Sequence, residues 1–403
     1  MTSGRICNGP YLLSPGPRQM TVAWETAASG CFRVVCTAPD GRVCRQEAME
    51  NRELSCPEHP EGALIYTADF ADLLPGTEYR YEIYTGDELC ASASFQTLTE
   101  QPEKLHLMTL SDSHLFHAAE AFQRAAERIQ PDYLLHTGDI SFGTGYQHDQ
   151  YPDNWFRKIP ELLARLPIIY AHGNHDDGPF FDAFISKPQM KGLSGMKSGE
   201  AFSFDDGMAH FTFVDSNPWA LLEMNGVNAG IAADARLRAR IEAILAWAEE
   251  DIMGEPARRA HHPYTDAFNN RYLIPVAERC GVDLVLGGHL HYYIKAISAQ
   301  PNIGARTMYI CQGSAQDPAA DYEGADGTHR LLTEFPEVAA TGNNNYGVLD
   351  ITADAIDYRL CGFLADGTEK EIDAVHMTKD VPRICFRNVT VQTIDADGQI
   401  EVC

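Results

Sequence analysis

The sequence predicts a small all-β sandwich followed by a larger α/β domain, and three observations support this division. The first hundred residues alternate apolar and polar side chains with the period of two that is typical of β-strands. Beyond residue 104, short apolar runs alternate with amphipathic helical patterns, as they do in α/β proteins. The chain also has 403 residues, which is more than one hydrophobic core usually serves.

The N-terminal sandwich is predicted from its strand pattern. The alternating strands, one of them preceded by a Pro-Gly turn, cover residues 19–24, 32–36, 73–84 and 91–99. Strands of this length separated by turns form antiparallel sheets that pack face to face. We assign residues 1–99 to the sandwich and residues 100–104, which are polar and include Pro102, to a linker.

The second domain, residues 105–375, is predicted to contain a sheet covered by helices. Its buried strands, which are short and largely apolar, cover residues 105–110, 133–137, 168–171 and 282–286. Two amphipathic helices cover residues 118–129 and 232–250, and a Phe-rich hairpin covers residues 201–215. Residues 376–403 contain two alternating strands around an Asp-Gly turn and are predicted to form a C-terminal β-hairpin extension.

Five short segments of the second domain each combine an acid, amide or imidazole with turn-forming residues. In chain order they are Asp112-Ser113-His114, Gly138-Asp139, Gly173-Asn174-His175-Asp176, His261-His262-Pro263 and Gly288-His289-Leu290-His291. Each predicted strand ends just before one of them, and functional groups of open α/β sheets collect beyond the carboxyl ends of the strands. The nitrogen and oxygen donors include no cysteine, which favours Mn, Fe or Zn over Ca. The segments therefore predict a two-metal hydrolytic site.

The ordered series D-x-H, GD, GNHD, H-x-P and GHxH resembles that of the calcineurin-like metallophosphoesterase superfamily, over residues 105–360. The resemblance implies a four-layer fold of the α+β type, in which a β-sandwich flanked by helices carries two metal ions at one edge. It also implies the ligands: Asp112, His114 and His291 for the first metal, Asn174, His261 and His289 for the second, and Asp139 as the bridge. The expected cofactors are two divalent or trivalent first-row ions, Mn, Fe or Zn.

Three more residues receive catalytic roles from the same resemblance. His175 matches a histidine that contacts the phosphate or protonates the leaving group, and Asp176 would orient it. The alternative for Asp176 is that it caps the next helix. His262 would line the pocket near the leaving group, although a one-residue shift of its loop would exchange it with the predicted ligand His261.

The N-terminal sandwich resembles a fibronectin type III-like domain. The residues that support this are Trp24 on an early strand and the pattern Leu-x-Pro-x-Thr-x-Tyr-x-Tyr that begins at Leu73. A sandwich followed by a phosphoesterase domain resembles the order of purple acid phosphatases. The chain differs from them in having Phe142 where they have a metal-binding tyrosine, and His114 where their first motif has no histidine. We therefore expect a colourless enzyme with no tyrosinate charge-transfer band.

The function implied by the resemblance is that of a binuclear metal-dependent phosphoesterase. It would hydrolyse a small phosphomonoester or phosphodiester by direct attack of metal-bound hydroxide, without a covalent intermediate. The domain order favours a monoester, and a phosphodiesterase acting on cyclic nucleotides or glycerophosphodiesters is the alternative. A different class of function is a non-catalytic binding or scaffold protein on the same fold. Superfamily members of that kind lose metal ligands, and none is missing here.

The composition is acidic, with 57 Asp and Glu residues against 31 Lys and Arg residues and a net charge of −26. Such a surface repels polyanions, so we expect neither a nucleic acid polymer nor an anionic membrane as a partner. A small phosphoester attracted by the metals is compatible with this charge. The sequence does not predict the oligomeric state.

The walls of the substrate pocket are predicted only coarsely. Residues 178–199 follow the GNHD segment directly and contain Phe180, Phe181 and Phe184, so they are a candidate wall of the pocket. Loops next to a rigid site usually carry its specificity. The Asn-rich stretch 341–345 is a further candidate.

Cysteine usage bears on the cellular compartment. The chain has 11 cysteines, an odd number, so at least one is unpaired. Those in the N-terminal sandwich would suit disulfides in a secreted protein. The first residues lack the apolar stretch of a secretory signal, however, so we expect a cytoplasmic, reduced protein. Secretion is the alternative if a signal has been removed. Cys311 lies in an apolar run and is expected to be a core residue.

Overall fold

The computed structural model describes most of both predicted domains. The described residues are 6–51, 63–143, 145–185, 191–192, 201–216, 235–253, 267–289, 291, 293–297, 307–313, 315, 344–363, 368–378, 392–394 and 400–402. No helix among them combines the length and apolarity needed to cross a bilayer. The cysteines within these segments are free thiols. The thiol of Cys311 is half-buried and donates to the carbonyl of Gly288 at 3.2 Å.

The N-terminal domain consists of two four-stranded antiparallel sheets. Its strands are β1 (Ile6–Leu13), β2 (Met20–Thr26), β3 (Phe32–Thr37), β4 (Val43–Glu47), β5 (Met49–Asn51), β6 (Leu64–Phe70), β7 (Glu78–Thr85) and β8 (Glu88–Gln96). The strand orders are β1-β2-β6-β5 and β4-β3-β7-β8. Trp24 is fully buried between the sheets, stacked on Tyr66 and edge-on to Phe32. The predicted all-β sandwich is confirmed.

The second domain alternates strands and helices. Its elements are β9 (Lys104–Leu110), α1 (Ala119–Ile129), β10 (Tyr133–His136), α2 (Pro160–Leu163), β11 (Ile168–Tyr170), α3 (Pro179–Phe184), β12 (Lys191–Gly192), β13 (Ala201–Asp206), β14 (Ala209–Val214), α4 (Ala235–Met253), α5 (Ala267–Arg279), β15 (Leu284–Gly287), β16 (Ile294–Ile297), β17 (Met308–Cys311), β18 (Asn345–Thr352), β19 (Ala355–Phe363), β20 (Glu369–Thr378), β21 (Gln392–Ile394) and β22 (Ile400–Val402). A π-helical turn spans Pro152–Phe156, and a 3-10 turn spans Asn174–Asp176.

The sheets of the second domain form a four-layer arrangement. A six-stranded sheet has the order β11-β10-β9-β18-β19-β20, and two three-stranded sheets have the orders β12-β13-β14 and β15-β17-β16. Leu107 and Tyr358 of the large sheet share a core with Phe202 and Ile310 of the small sheets. The opposite face of the large sheet packs on α1 through Phe122, and α4 covers the small sheets. This is the predicted β-sandwich flanked by helices.

The predicted strands 105–110, 133–137 and 168–171 correspond to β9, β10 and β11, which pair in parallel. The fourth predicted strand, 282–286, corresponds to β15. At the C-terminal end of the chain, β20 runs across residue 375, where we placed the end of the catalytic domain. β21 and β22 pair as an antiparallel hairpin.

The two domains meet through buried tyrosines and one acid–imidazole pair. The ring of Tyr11 packs on Phe156 with 4.3 Å between centroids. The Tyr81 hydroxyl donates to the carbonyl of Ala164 at 2.7 Å. Nearby, Nε2 of His148 donates to the carboxylate of Glu25 at 2.5 Å, and both side chains are buried. Burial lowers the pKa of His148, but Glu25 and Asp149 outweigh burial and raise that pKa above its ordinary value.

The raised pKa of His148 predicts how the stability of the interface depends on pH. The ion pair contributes fully below the unfolded-state pKa of about 6.5, and this contribution is lost as the pH rises through the folded-state pKa. The difference in melting temperature between the wild type and His148→Gln should therefore be largest near about pH 6 and shrink above neutrality. Thermal unfolding at matched metal content measures it.

His376→Gln is a matched control, because the His376 side chain is 61% exposed. Its ion pair with Asp357 is screened by solvent, so its melting temperature should follow that of the wild type at every pH. A His148→Gln difference that grows with pH would contradict a charged His148.

Candidate metal centre

Four of the five predicted segments come together at one edge of the second domain. The segments that begin at Asp112, Gly138 and Gly173 follow the parallel strands β9, β10 and β11, and the segment that begins at Gly288 follows β15. A backbone hydrogen bond joins the first two segments, since the amide of Asp112 donates to the carbonyl of Gly138 at 3.0 Å. The convergence follows from the parallel strands, whose carboxyl ends lie at the same edge.

Three predicted ligands of the first metal form one cluster. The ligand atoms of Asp112, His114 and His291 lie within 4.8 Å of one another. Nε2 of His114 is 3.0 Å from Nε2 of His291, which is 3.4 Å from Oδ1 of Asp112. Nδ1 of His114 donates to the carbonyl of Ser141 at 3.0 Å, which leaves its Nε2 lone pair directed into the cluster.

The predicted ligands of the second metal lie beside this cluster. Nδ1 of His289 is 2.8 Å from Oδ1 of Asn174. A second group of ligand atoms within 4.8 Å of one another comprises His114, Asp139 and His175. Asp139 thus belongs to a group that shares His114 with the first cluster, and its Oδ1 accepts from the amide of His175 at 2.8 Å. The remaining predicted ligand, His261, and its neighbour His262 lie outside the described residues.

The backbone of the site is held in an unusual conformation. Eight non-glycine residues of the described chain have a positive φ, and five of them are predicted metal ligands: Asp112 (48°), His114 (42°), Asp139 (58°), His289 (76°) and His291 (57°). Left-handed backbone costs such residues about 1–3 kcal/mol each and persists where surrounding structure enforces it. Strain of this kind concentrates at functional sites, which supports the assignment of these loops.

Two glycines permit the loops to approach each other. A Cβ on Gly173 would stand 2.2 Å from Oδ1 of Asp139, and a Cβ on Gly288 would stand 1.7 Å from Oγ of Ser111. Separations below 3.0 Å do not occur for real Cβ atoms. The glycines of the GNHD and GHLH segments are therefore required by contact with the neighbouring ligand loops.

The electrostatics of the site are dominated by buried carboxylates. Burial, together with the charges of Asp112 and Asp176, raises the pKa of Asp139 to about 9. Burial also raises the pKa of Asp112, but hydrogen bonds from His291 and Ser111 and the nearby imidazoles outweigh it and leave that pKa below its ordinary value. Burial lowers the pKa of His114 to about 4, so this imidazole is neutral, as a metal ligand must be.

These residues fit metal ions by the chemistry of their donors. Asp112, His114 and Asp139 are at most 3% exposed, whereas His289 is exposed, so the site has a closed floor and an open face. Buried carboxylates that repel each other are stabilised by a cation between them. Imidazole nitrogen with carboxylate and amide oxygen is the donor set that Mn, Fe and Zn accept.

His175 and Asp176 do not form the predicted pair. Nδ1 of His175 donates to the carbonyls of Phe142 and Gly143, at 3.0 and 2.6 Å. The carboxylate of Asp176 is fully buried and accepts from the Tyr151 hydroxyl at 3.1 Å and from the Ile140 amide at 3.2 Å. Asp176 thus holds the loop after Asp139 rather than the imidazole. The alternative is also wrong, because the N-cap of α3 is Gly178.

The prediction that the aromatic residues after the GNHD segment form a wall of the pocket is wrong. Phe180, Phe181 and Phe184 lie on α3 and are at most 2% exposed, within the core that covers the large sheet. Phe142 instead is at the site. Its ring is 53% exposed, with its centroid 6.0 Å from that of His114 and 6.3 Å from that of His175. It places an apolar face, without a ligand atom, beside the metal centre.

A buried imidazole that the motif analysis missed supports the ligand loops. His136 is fully buried, and burial lowers its pKa to about 3. Its Nδ1 accepts from the amide of Gly138 at 3.2 Å, so its Nε2 is the donor to Oγ of Ser113 at 2.9 Å. Oγ of Ser113 in turn donates to the carbonyl of Ile140 at 3.0 Å. The sequence signal was a lone histidine in an apolar strand directly before the GD segment.

The contact of Gly173 with Asp139 predicts the effect of a single methyl group. Gly173→Ala should displace Asp139 and lower the affinity for added Mn²⁺ or Zn²⁺ by about 10-fold or more, as loss of ligand support usually does. Equilibrium dialysis with elemental analysis measures the bound metal. Gly287→Ala is the control, because a Cβ there meets nothing within 4 Å. Equal metal affinity in the two variants would contradict the assigned role of the contact.

Comparison with known proteins agrees with the geometry. Residues 105–293 match the profile of the family described as calcineurin-like phosphoesterase. Acid phosphatase type 7 from Homo sapiens is 21% identical over 210 residues, or 51% of this chain and 44% of the relative. The Mus musculus protein is 23% identical over 154 residues, or 38% and 32%. The chain thus spans less than half the length of these curated relatives.

A solved structure extends the likeness to nearly the whole chain. The structure of PhoD covers 94% of this chain and 91% of its own length with a TM-score of 0.62 and 12% sequence identity, which establishes similarity of fold. The profile match spans the four described ligand segments and the fifth, which carries His261. Residues 105–293 therefore match the calcineurin-like phosphoesterase family, and the chain is similar to PhoD in fold over nearly its whole length.

Proposed function

We propose that the protein is a binuclear metal-dependent hydrolase of small phosphoesters. The observation that carries this proposal is the pair of overlapping donor clusters around Asp112 and Asp139, which share His114. Both carboxylates are buried, and the groups around them are imidazoles and an amide. When bound, two metal ions would neutralise phosphoryl oxygens and activate a water molecule for in-line attack. The family match and the name of the relatives, acid phosphatase, support the same class of reaction.

The ligand assignment follows the two clusters. Asp112, His114 and His291 would hold one metal, Asn174 and His289 with the undescribed His261 the other, and Asp139 would bridge them. A carboxylate suits the bridging position because its two oxygens offer several lone pairs. The neutral Asn174 amide adds a donor without adding negative charge, which keeps the pocket attractive to an anion.

His175 is proposed as the residue that serves the leaving group. Its Nδ1 is fixed by the backbone carbonyls of Phe142 and Gly143, so its Nε2 can carry a proton on the open side of the ring. A histidine positioned in this way can give a proton to the departing oxygen. His262, next to the predicted ligand, stays a second candidate for contact with the leaving group.

The substrate is proposed to be a phosphomonoester rather than a diester. The domain order and the name of the curated relatives favour the monoester. The test is the ratio of kcat/KM for p-nitrophenyl phosphate and bis(p-nitrophenyl) phosphate, measured after reconstitution with Mn, Fe or Zn. A much higher value for the diester would reverse the assignment. Absence of turnover on a broad phosphoester panel by metal-loaded protein would favour the non-catalytic alternative.

Removal of the bridging charge tests the binuclear assignment. Asp139→Asn should lower kcat by about 100-fold or more, because the metals lose the carboxylate that places them together. Steady-state kinetics and metal analysis of the same samples measure it. Asp153→Asn makes the same chemical change on a 59% exposed carboxylate in a surface ion pair, and it should leave kcat unchanged. A wild-type kcat for Asp139→Asn would refute the proposed site.

A further inference from the structure

A buried acid–imidazole pair joins the N-terminal sandwich to the loop that follows Asp139. Glu25, on β2, has 1% of its side chain exposed, and His148 has 2%. Oε1 of Glu25 accepts from Nε2 of His148 at 2.5 Å, and Oε2 accepts from the side-chain amide of Asn8. Nδ1 of His148 donates to Asp149 at 2.6 Å. Because both ring nitrogens are hydrogen-bonded, the orientation of the His148 ring is fixed from two sides.

The 141–151 loop, which is described except for residue 144, contains His148 and also holds two imidazoles of the candidate metal centre. The carbonyl of Ser141 accepts from Nδ1 of His114 at 3.0 Å. The carbonyls of Phe142 and Gly143 accept from Nδ1 of His175 at 3.0 and 2.6 Å. A displacement of this loop would therefore move the acceptors that set the direction of both rings.

The second domain holds the 141–151 loop through backbone and apolar contacts and through the Tyr151 hydroxyl, which donates to Asp176 at 3.1 Å. The amide of Phe180 donates to the carbonyl of Gly145 at 3.1 Å, and a Cβ on Gly178 would stand 2.1 Å from the carbonyl carbon of Gly145. The His148 ring packs on Phe180 and Phe184, with centroids 5.5 and 5.4 Å apart. Glu25 adds a buried countercharge from the other domain.

We propose that Glu25 is a positioning residue for the reaction. It fixes His148, His148 fixes the 141–151 loop, and the carbonyls of that loop fix His175. The N-terminal sandwich thereby takes part in shaping the active centre. The proposal rests on the phosphoesterase function proposed above and deepens it by assigning the sandwich a role in leaving-group departure.

Buried charge explains why one side chain can control a loop. Loss of Glu25 would leave the buried His148 paired with Asp149, whose side chain is 51% exposed and screened by water, so the imidazolium would be poorly compensated and the structure would relax to solvate it. His148 can reach water by moving the loop away from the sandwich. Small shifts of catalytic groups cost up to about 100-fold in rate, so movement of the His175 acceptors should be visible in kinetics.

The test compares Glu25→Gln with His175→Asn on two substrates, phenyl phosphate and p-nitrophenyl phosphate. Phenolate is the poorer leaving group and depends more on protonation. His175→Asn should lower kcat for phenyl phosphate much more than for p-nitrophenyl phosphate. Glu25→Gln should reproduce this bias in weaker form, with a loss of about 10-fold for phenyl phosphate. Glu25→Asp, which keeps the charge, should recover part of the loss.

Tyr81→Phe is the matched control for a general weakening of the interface. It removes another buried interdomain hydrogen bond, but its acceptor Ala164 lies at the end of α2, outside the 141–151 loop. Tyr81→Phe should leave kcat for both substrates at the wild-type level. His148→Gln breaks the same link from the other side and carries the test if Glu25→Gln does not fold. The double variant should lose no more than the larger single loss.

The outcomes separate the two proposals. A wild type that hydrolyses neither substrate would refute the proposed function itself. If His175→Asn loses more kcat on phenyl phosphate than on p-nitrophenyl phosphate but Glu25→Gln and His148→Gln do not, the positioning role of Glu25 is overturned. The proposed phosphoesterase function is then unaffected. An equal loss on both substrates in Glu25→Gln and Tyr81→Phe would do the same, because it would show only a loosened interface.

Discussion

The structure of the second domain depends on bringing two buried carboxylates, Asp112 and Asp139, to one sheet edge. Burial and the charges of Asp112 and Asp176 make this placement unfavourable for the Asp139 carboxylate, and they raise its pKa to about 9. The placement is enforced by parallel strands that end side by side, by left-handed backbone at both residues, and by glycines that admit no Cβ. These features cost folding free energy. A cation bound between the two carboxylates would offset this cost, which explains why the fold retains these features together.

Buried hydrogen bonds beneath the ligand segments offset part of this free-energy cost. His136 is neutral because it is buried, and a neutral imidazole accepts at one nitrogen and donates at the other. It therefore connects the Gly138 amide to Ser113 and ties the first two ligand segments together. Asp176 and Tyr151 hold the other side of the GD segment through the Ile140 amide. The floor of the site is closed by these buried groups, and the open face is formed by exposed groups such as His289 and Phe142.

Local pattern was sufficient to predict the strands and the order of the ligand segments. The apolar runs before Asp112, Asp139 and Asn174 specify strands, and parallel pairing then places the segments together. Pattern could not predict the partner of Asp176, since chain adjacency to His175 does not indicate which way a buried carboxylate points. It also misplaced Phe180, because an aromatic after a motif is equally compatible with core and pocket. The contact between Glu25 and His148 joins residues 123 positions apart, a pairing no local pattern encodes.

Under the proposed function, the acidic composition and the candidate metal centre together favour a small substrate over a long polyanion. Five neutral donors and two carboxylates make up the proposed ligand set, so two divalent cations would leave a net positive pocket in a chain of net charge −26. The field of the pocket is screened within a Debye length of about 8–10 Å, whereas the acidic surface meets a long polyanion along its whole length. A small phosphoester enters the region of attraction before it meets much of the repulsion. In the proposed enzyme, electrostatics would thus favour small substrates independently of the shape of the pocket walls.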